Sequence, residues 1–126
     1  MEKKYIQTDK APSAIGAYSQ AVALGDLVFL SGQIPLIPDK MEIISSEIDE
    51  QIIQVFNNLE AVLKESGSSL TNVLKLNVYL VNLSYFPNVN QHMEKIFPKP
   101  FPARAVVEVS KLPKDALIEI DAIAKL

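Results

Sequence analysis

No cysteine occurs among the 126 residues, so the chain can form no disulfide, no thiolate metal site and no cysteine nucleophile. A single histidine, His92, leaves no second imidazole for a metal pair, and its place on an expected helix reads as surface. Four glycines form neither a loop suited to a nucleotide phosphate nor the pattern of a nucleophile elbow, which removes the usual setting of Ser/His/Asp catalysis. No apolar stretch reaches the roughly 18 residues of a membrane span, and the opening MEKKYIQTDK has no apolar leader segment. A net charge of −3 and scattered lysines offer no basic track for nucleic acid. These absences describe a soluble, cytoplasmic protein with no cofactor, no membrane and no principal nucleic-acid partner.

Hydrophobic residues make up 48% and charged residues 21%, the balance of a globular chain rather than a disordered one. Folding at this length buries about two-thirds of the unfolded surface, enough for one core and too little for two, so a single domain over 1–126 is expected. KKYIQT reads as a short edge strand before the breaker Pro12. In AVALGDLVFLSG two apolar runs flank Gly25-Asp26, which predicts a hairpin over 21–24 and 27–31. Pro35, Pro38, Asp39 and Lys40 mark a loop. Ile48, Ile52, Val55, Phe56, Leu59, Val62 and Leu63 then recur at spacings of three and four, predicting a helix over 47–65 capped by Ser45 or Ser46 and closed by Gly67.

NVLKLNVYLV returns to period two, with Leu74, Leu76, Val78 and Leu80 on one face and Val73, Lys75, Asn77, Tyr79 and Val81 on the other. A second helix is predicted over 84–97 with Ser84 as its cap, then strands over 103–110 and 116–124 joined by KLPKD. The order β, ββ, α, β, α, ββ describes an α+β fold: a sheet of about six strands with two helices on one face. Several strands also carry apolar residues on the face the helices do not cover. Either copies of the chain pack these faces together in a closed homo-oligomer, or the sheet is half solvated.

Arginine is as scarce as histidine, since eleven of the 12 basic residues are lysines and Arg104 is the exception. If the last two strands pair around KLPKD, Arg104 falls near Glu119. One reading is a cross-strand ion pair, worth at most about 1 kcal/mol where exposed. The other is an anion site, for which arginine's rigid two-pronged fork is suited and lysine's point charge is not. Tyr18, Ser31 and Gly32 place hydroxyls and a backbone N–H near strand ends, where either turn chemistry or a binding site would use them.

AIGAYSQAV, FLSGQIP, LKLNVYLVNL, FPNVN and above all FPARAVVEVSKLPKDALIEIDAIA resemble, in colinear order, the Rid family, also called YjgF or L-PSP proteins, and its RidA branch in particular. The resemblance implies a chorismate-mutase-like α+β fold, a homotrimer with a central barrel of sheets, and clefts between subunits. It implies hydrolysis of reactive 2-imino or enamine acids, such as 2-iminobutanoate and 2-iminopropanoate, to 2-oxo acids and ammonia, with no cofactor or metal. Carried over by position, Arg104 binds the substrate carboxylate and Glu119 handles the attacking water. Tyr18, Ser31, Gly32, Asn90 and Val106 line the cleft.

Three positions depart from the family pattern. Val106 replaces a frequent cysteine, leaving only its backbone carbonyl to hold water. Ala17 replaces a usual proline beside Tyr18, and Met41 stands at a frequent turn glycine in a loop expected to lie far from the site. Two other functions keep a place beside the deaminase. One is an endoribonuclease or translation inhibitor, against which the acidic charge and lone histidine argue. The other is a non-catalytic sensor of small carboxylates, against which Glu119 argues, because an anion binder gains little from a neighbouring carboxylate.

Overall fold

The computed structural model describes residues 1–126. Six strands form one mixed sheet: β1 (Lys4–Ile6), β2 (Ala21–Leu24), β3 (Leu27–Gln33), β6 (Val73–Leu80), β7 (Ala103–Glu108) and β8 (Ile118–Lys125). They run in the order β1-β2-β3-β8-β6-β7, with only β6 and β7 parallel. A separate two-stranded hairpin, β4 (Leu36–Ile37) with β5 (Glu42–Ile43), lies in the segment read from sequence as a plain loop. Both helices, α1 (Ile48–Glu65) and α2 (Phe86–Ile96), cover one face of the sheet.

The core lies between that face and the helices. Strand residues Val28, Leu30, Leu76, Val78, Leu80, Ile118, Ile120 and Ala122 meet α1 through Ile52, Val55, Phe56, Leu59, Val62 and Leu63. This is the expected outcome of a period near 3.6 facing a period of two. α1 carries Asp49 and Glu50 in its first turn and Lys64 in its last, matching the helix dipole. Gly67 closes it at φ +84°, a left-handed conformation that favours glycine. Ser45 secures the start from outside the helix, accepting from Glu47 N at 3.1 Å and donating to Glu50 Oε1 at 2.6 Å. The cap at α2 is displaced from the sequence expectation. Asn82, not Ser84, supplies the side-chain acceptor, taking the N–H of Ser84 at 2.9 Å at the head of a 3-10 turn that leads into the helix.

Two strand expectations are corrected. The last two strands do not pair, because β6 lies between β7 and β8. The cause is α2: a strand, helix and strand in succession bring β7 back parallel to β6, so KLPKD spans two strand positions instead of closing a hairpin. The faces of β6 also change partway. A register shift between Val73 and Lys75 turns Val73 into the core at 8% exposure and sends Leu74 out at 46%. A bulge of this kind exchanges the faces of the residues beyond it.

The face of the sheet away from the helices is mixed. Register aligns Tyr5, Val22, Phe29, Ile123 and Lys75 in one row across it, Asp121 with Asn77 in the next, and Glu119 with Tyr79 and Val107 in a third. Tyr5, Phe29 and Val107 are exposed in the single chain.

Candidate active site

Glu119 projects from β8 on the open face, next to β3. Its carboxylate lies directly over the α-carbon of Gly32: a β-carbon there would stand 2.9 Å from Cδ and closer still to Oε2. Only a residue without a side chain leaves this space. Glu119 is one wall of a cavity of about 500 Å³ that also takes Tyr18, Ser31, Gly32, Met41 and Lys114. Ser31 is fixed by donating its hydroxyl to Ser19 O at 2.6 Å and its N–H to Gln20 O at 3.0 Å. The Tyr18 hydroxyl accepts from Ile15 N at 3.4 Å. Four of the sequence-derived candidates therefore meet in one place.

Burial raises the proton affinity of Glu119 above that of an ordinary carboxylate, and the negative charge of Asp121 raises it further. Asp121 sits two residues along β8 on the same face. One of its oxygens accepts from Asn77 Nδ2 at 2.8 Å and the other from the Tyr79 hydroxyl at 2.9 Å. That bond to Asp121 is the main reason the Tyr79 phenol is harder to ionise than usual, with burial adding to it. Both oxygens of Asp121 are thus engaged, and the charge is held in place.

Three buried amides hold the loops around this cavity, and sequence reasoning did not find them. Gln20 donates to Pro12 O at 2.8 Å and accepts from Thr8 N at 2.7 Å, fixing the loop before Ser13. Asn58 on α1 donates to Leu36 O at 3.0 Å, which seats β4. Gln51 accepts from Leu117 N at 2.9 Å and so anchors the start of β8. Gln51 and Asn58 sit at α1 positions spaced three or four residues from apolar ones, where a polar residue was the available signal, whereas Gln20 lies in the loop before β2 and carried none. Met41 is a further correction. Expected far from the site, it lines the cavity because the β4–β5 hairpin folds over it.

Arg104 lies elsewhere. On β7 it pairs with Leu76 and shares the helix-facing side, whereas Glu119 pairs with Tyr79 on the opposite side. Two strand spacings, about 9.5 Å, and the thickness of the sheet separate them within one chain, so the expected neighbourhood of Arg104 and Glu119 does not form. Arg104 instead faces α2, donating from Nη1 to Asn90 Oδ1 at 2.6 Å and to Met93 Sδ at 3.4 Å, with its guanidinium 4.9 Å from the Phe86 ring centre. It forms no salt bridge in the chain, the ion pairs being Lys64–Glu60 and Lys111–Asp115. Asn90, Phe101 and Arg104 border a second cavity, of about 440 Å³. Val106 lies two residues further along β7 on the same side, partly buried against the core.

His92 joins the two helices. Its Nε2 lies 2.9 Å from Asp49 Oδ1 on α1, an oxygen that also accepts from Asn88 Nδ2 at 3.2 Å. These hydrogen bonds hold the Asp49 carboxyl below its ordinary proton affinity. Neither cavity contains a histidine, and no group of three His, Cys, Asp or Glu side chains could hold a metal. No helix is long and apolar enough to cross a membrane.

The family described as Endoribonuclease L-PSP matches residues 8–126. A RutC family protein of Pyrococcus abyssi is 48% identical over 124 residues, which span 98% of each chain. A 2-iminobutanoate/2-iminopropanoate deaminase of Dermatophagoides farinae is 42% identical over 121 residues, 96% of this chain and 94% of that one. Among solved structures, RidA from the Antarctic bacterium Psychrobacter sp. superposes with a TM-score of 0.94 at 43% identity, covering 98% of this chain and 99% of that one. With the match running over nearly the whole length in both sequence and fold, the chain belongs to the Rid family, the one whose model is described as Endoribonuclease L-PSP.

Proposed function

We propose that the protein hydrolyses 2-imino acids to 2-oxo acids and ammonia in a site shared between two copies of the chain. The observation that carries this reading is the Glu119 carboxylate, seated over Gly32 in a cavity and with its proton affinity raised. A base that must take a proton from water and later return it works best when its affinity lies nearer neutrality than that of an exposed carboxylate. The similarity to a 2-iminobutanoate/2-iminopropanoate deaminase supports the reaction class.

Arg104 supplies the other half. Its guanidinium has no carboxylate partner within the chain, stacks on Phe86 and is oriented by Asn90. Such a fork binds a substrate carboxylate through two parallel hydrogen bonds. Because Arg104 and Glu119 occupy opposite faces of one sheet, a single ligand touches both only when Arg104 of one copy meets the Glu119 cavity of the next. A closed homotrimer satisfies this and also covers the open face of the sheet. Arg104 stands on edge strand β7, where a neighbouring copy has access.

Held between these groups, the substrate presents its C=N carbon to a water bound by Glu119. Glu119 takes a proton as the oxygen attacks, and the electron pair of the C=N bond passes to nitrogen. The proton then goes to that nitrogen; as the carbinolamine collapses, Glu119 takes the hydroxyl proton, the C–N bond breaks, and the proton leaves with the departing ammonia as ammonium, freeing the 2-oxo acid. The protonated imine is already electrophilic, so the protein's task is to position the reactants and shuttle protons through one carboxylate. Ribonuclease chemistry has the family description in its favour, but it calls for paired acid and base groups and a basic track. The only histidine is bound to Asp49 between the helices.

Subunit mixing tests both parts of the proposal. Imines of 2-oxobutanoate and pyruvate, generated in place by an amino-acid oxidase, are trapped with semicarbazide while the protein competes for them. Arg104→Ala and Glu119→Gln alone are each expected to fall to background. Unfolded and refolded together in equal amounts, they are expected to recover about one quarter of wild-type activity, since random assembly pairs an intact Arg104 with an intact Glu119 at that fraction of interfaces. No recovery from well-assembled mixtures refutes the shared site, and an inert wild type refutes the deaminase.

A further inference from the structure

Met41 holds a backbone conformation that its side chain disfavours. Its φ is +56°, in the left-handed region that glycine occupies freely and other residues reach only at a cost. Its N–H donates to Ile37 O at 2.7 Å to close the β4–β5 turn, a bond that glycine would form equally well. What glycine could not provide is the side chain, and that side chain lines the Glu119 cavity. The thioether sulfur lies 4.0 Å from Ser13 Oγ on a different loop of the cavity wall, and Lys114 Nζ donates to the Met41 carbonyl at 3.3 Å. Lys114, at φ +55°, is a second left-handed residue of the same wall. Unfavourable backbone conformations of this kind persist where the surrounding structure holds them and gather at binding sites.

Ile15, Ile34 and Leu36 join Met41 as apolar residues of the cavity, whose polar lining comes from Ser13, Ser31, Lys114 and Glu119. In the single chain the cavity measures about 500 Å³, which leaves room for more than a four-carbon acid beside the guanidinium that a neighbouring copy would bring. We propose that Met41 is a specificity-determining residue, whose side chain completes an apolar subsite that selects 2-imino acids with an apolar side chain longer than ethyl. The inference rests on the imine-hydrolysis reading for the reaction, but the selectivity also stands as a property of binding.

The test compares wild type, Met41→Gly and Met41→Leu on imino acids bearing methyl, ethyl and n-butyl side chains, generated by an amino-acid oxidase. Calorimetry on the matching 2-oxo acids runs in parallel. Wild type is expected to favour n-butyl over methyl on the order of tenfold in kcat/KM, the scale on which apolar pockets read side-chain size. Met41→Gly is expected to lose that preference, with kcat/KM falling further for the n-butyl substrate than for the methyl one, and with an equal or higher melting temperature. Met41→Leu is expected to keep the preference. A uniform change across the series, or an undiminished n-butyl preference in Met41→Gly, overturns the proposal. If wild type hydrolyses nothing yet binds the 2-oxo acids in this order, and Met41→Gly abolishes the order, the deaminase reading falls and the subsite stands. Absence of any order in both assays overturns the subsite itself.

Discussion

Replacing Gly32 by alanine separates the placement of Glu119 from the stability of the fold. An added β-carbon would lie 2.9 Å from Glu119 Cδ and 3.2 Å from Cγ, where ordinary contact begins at 3.4 Å, and nearer still to Oε2. The carboxylate must therefore retreat by roughly 1 Å to restore contacts of 3.5 Å or more. The retreat is mechanically easy, because the obstructed atoms are the free end of a side chain in an open cavity. Gly32 is also absent from the residues with positive φ, so alanine fits the backbone. Stability should stay within about 1 kcal/mol of wild type, the range of substitutions that leave core packing and buried polar groups intact. Catalysis should not survive so well. A misplacement of about 1 Å at a reacting group can cost on the order of 100-fold, or about 2.7 kcal/mol of transition-state stabilisation. Imine hydrolysis competed against semicarbazide, together with thermal melting of the same samples, gives both quantities. A Gly32→Ala protein that melts normally and keeps more than about a third of its activity, far from the loss expected, would show that the Glu119 position over Gly32 is not the working one.

Three further outcomes follow from the titrating groups. Asp121→Asn removes the charge that helps raise the proton affinity of Glu119 while leaving Tyr79 an acceptor; the acid limb of the kcat/KM profile, set by ionisation of the base, should move to lower pH, and an unmoved limb counts against the coupling. Glu119→Gln should be more stable than wild type at neutral pH, because the raised affinity means that folding disfavours the ionised carboxylate. That gain should vanish as pH falls through the native titration of Glu119, when wild type is protonated as well; urea midpoints at several pH values would reveal a pH-independent difference if the sign is wrong. Asp49 titrates in the other direction, its affinity lowered mainly by the hydrogen bond with His92. Its contribution should be present above the ordinary carboxylate range and lost as pH falls through its native value, and Asp49→Asn should lose at most about 1 kcal/mol for a pair this exposed; an equal deficit at low pH would argue against the pair.

The elements that repeat a period were legible in the sequence. α1 follows from seven apolar residues on one helical face, and the β2–β3 hairpin from Gly25-Asp26 between two apolar runs. What period cannot report is which strands are neighbours. Reading β7 and β8 as a hairpin was the economical solution, but α2 between β6 and β7 favours a parallel return and places β6 between them. The bulge at the start of β6 was hidden for a related reason: Val73 and Leu74 are both apolar, so nothing in composition tells which turns inward. Tyr18, Ser31, Gly32 and Glu119, scattered along the chain, line one cavity. Met41 eluded the reading because a hairpin of two-residue strands leaves almost no alternating pattern.

The separation of Arg104 from Glu119 links assembly to chemistry. Arg104 and Glu119 lie on opposite faces of one sheet, so the proposed catalytic unit would form only where copies meet. The open face that would drive this association is also the one that bears Glu119, Asp121, Asn77 and Tyr79 among exposed apolar residues such as Phe29 and Val107. Burial is already the larger cause of the raised proton affinity of Glu119 in the single chain, ahead of the charge on Asp121. Covering that face removes more water from the carboxylate and lowers the local dielectric in which Asp121 acts, and both changes push in the same direction. In the proposed assembly, association would therefore do more than deliver Arg104 to the cavity, since the desolvation that accompanies the packing of apolar side chains would also tune the base that Arg104 would serve.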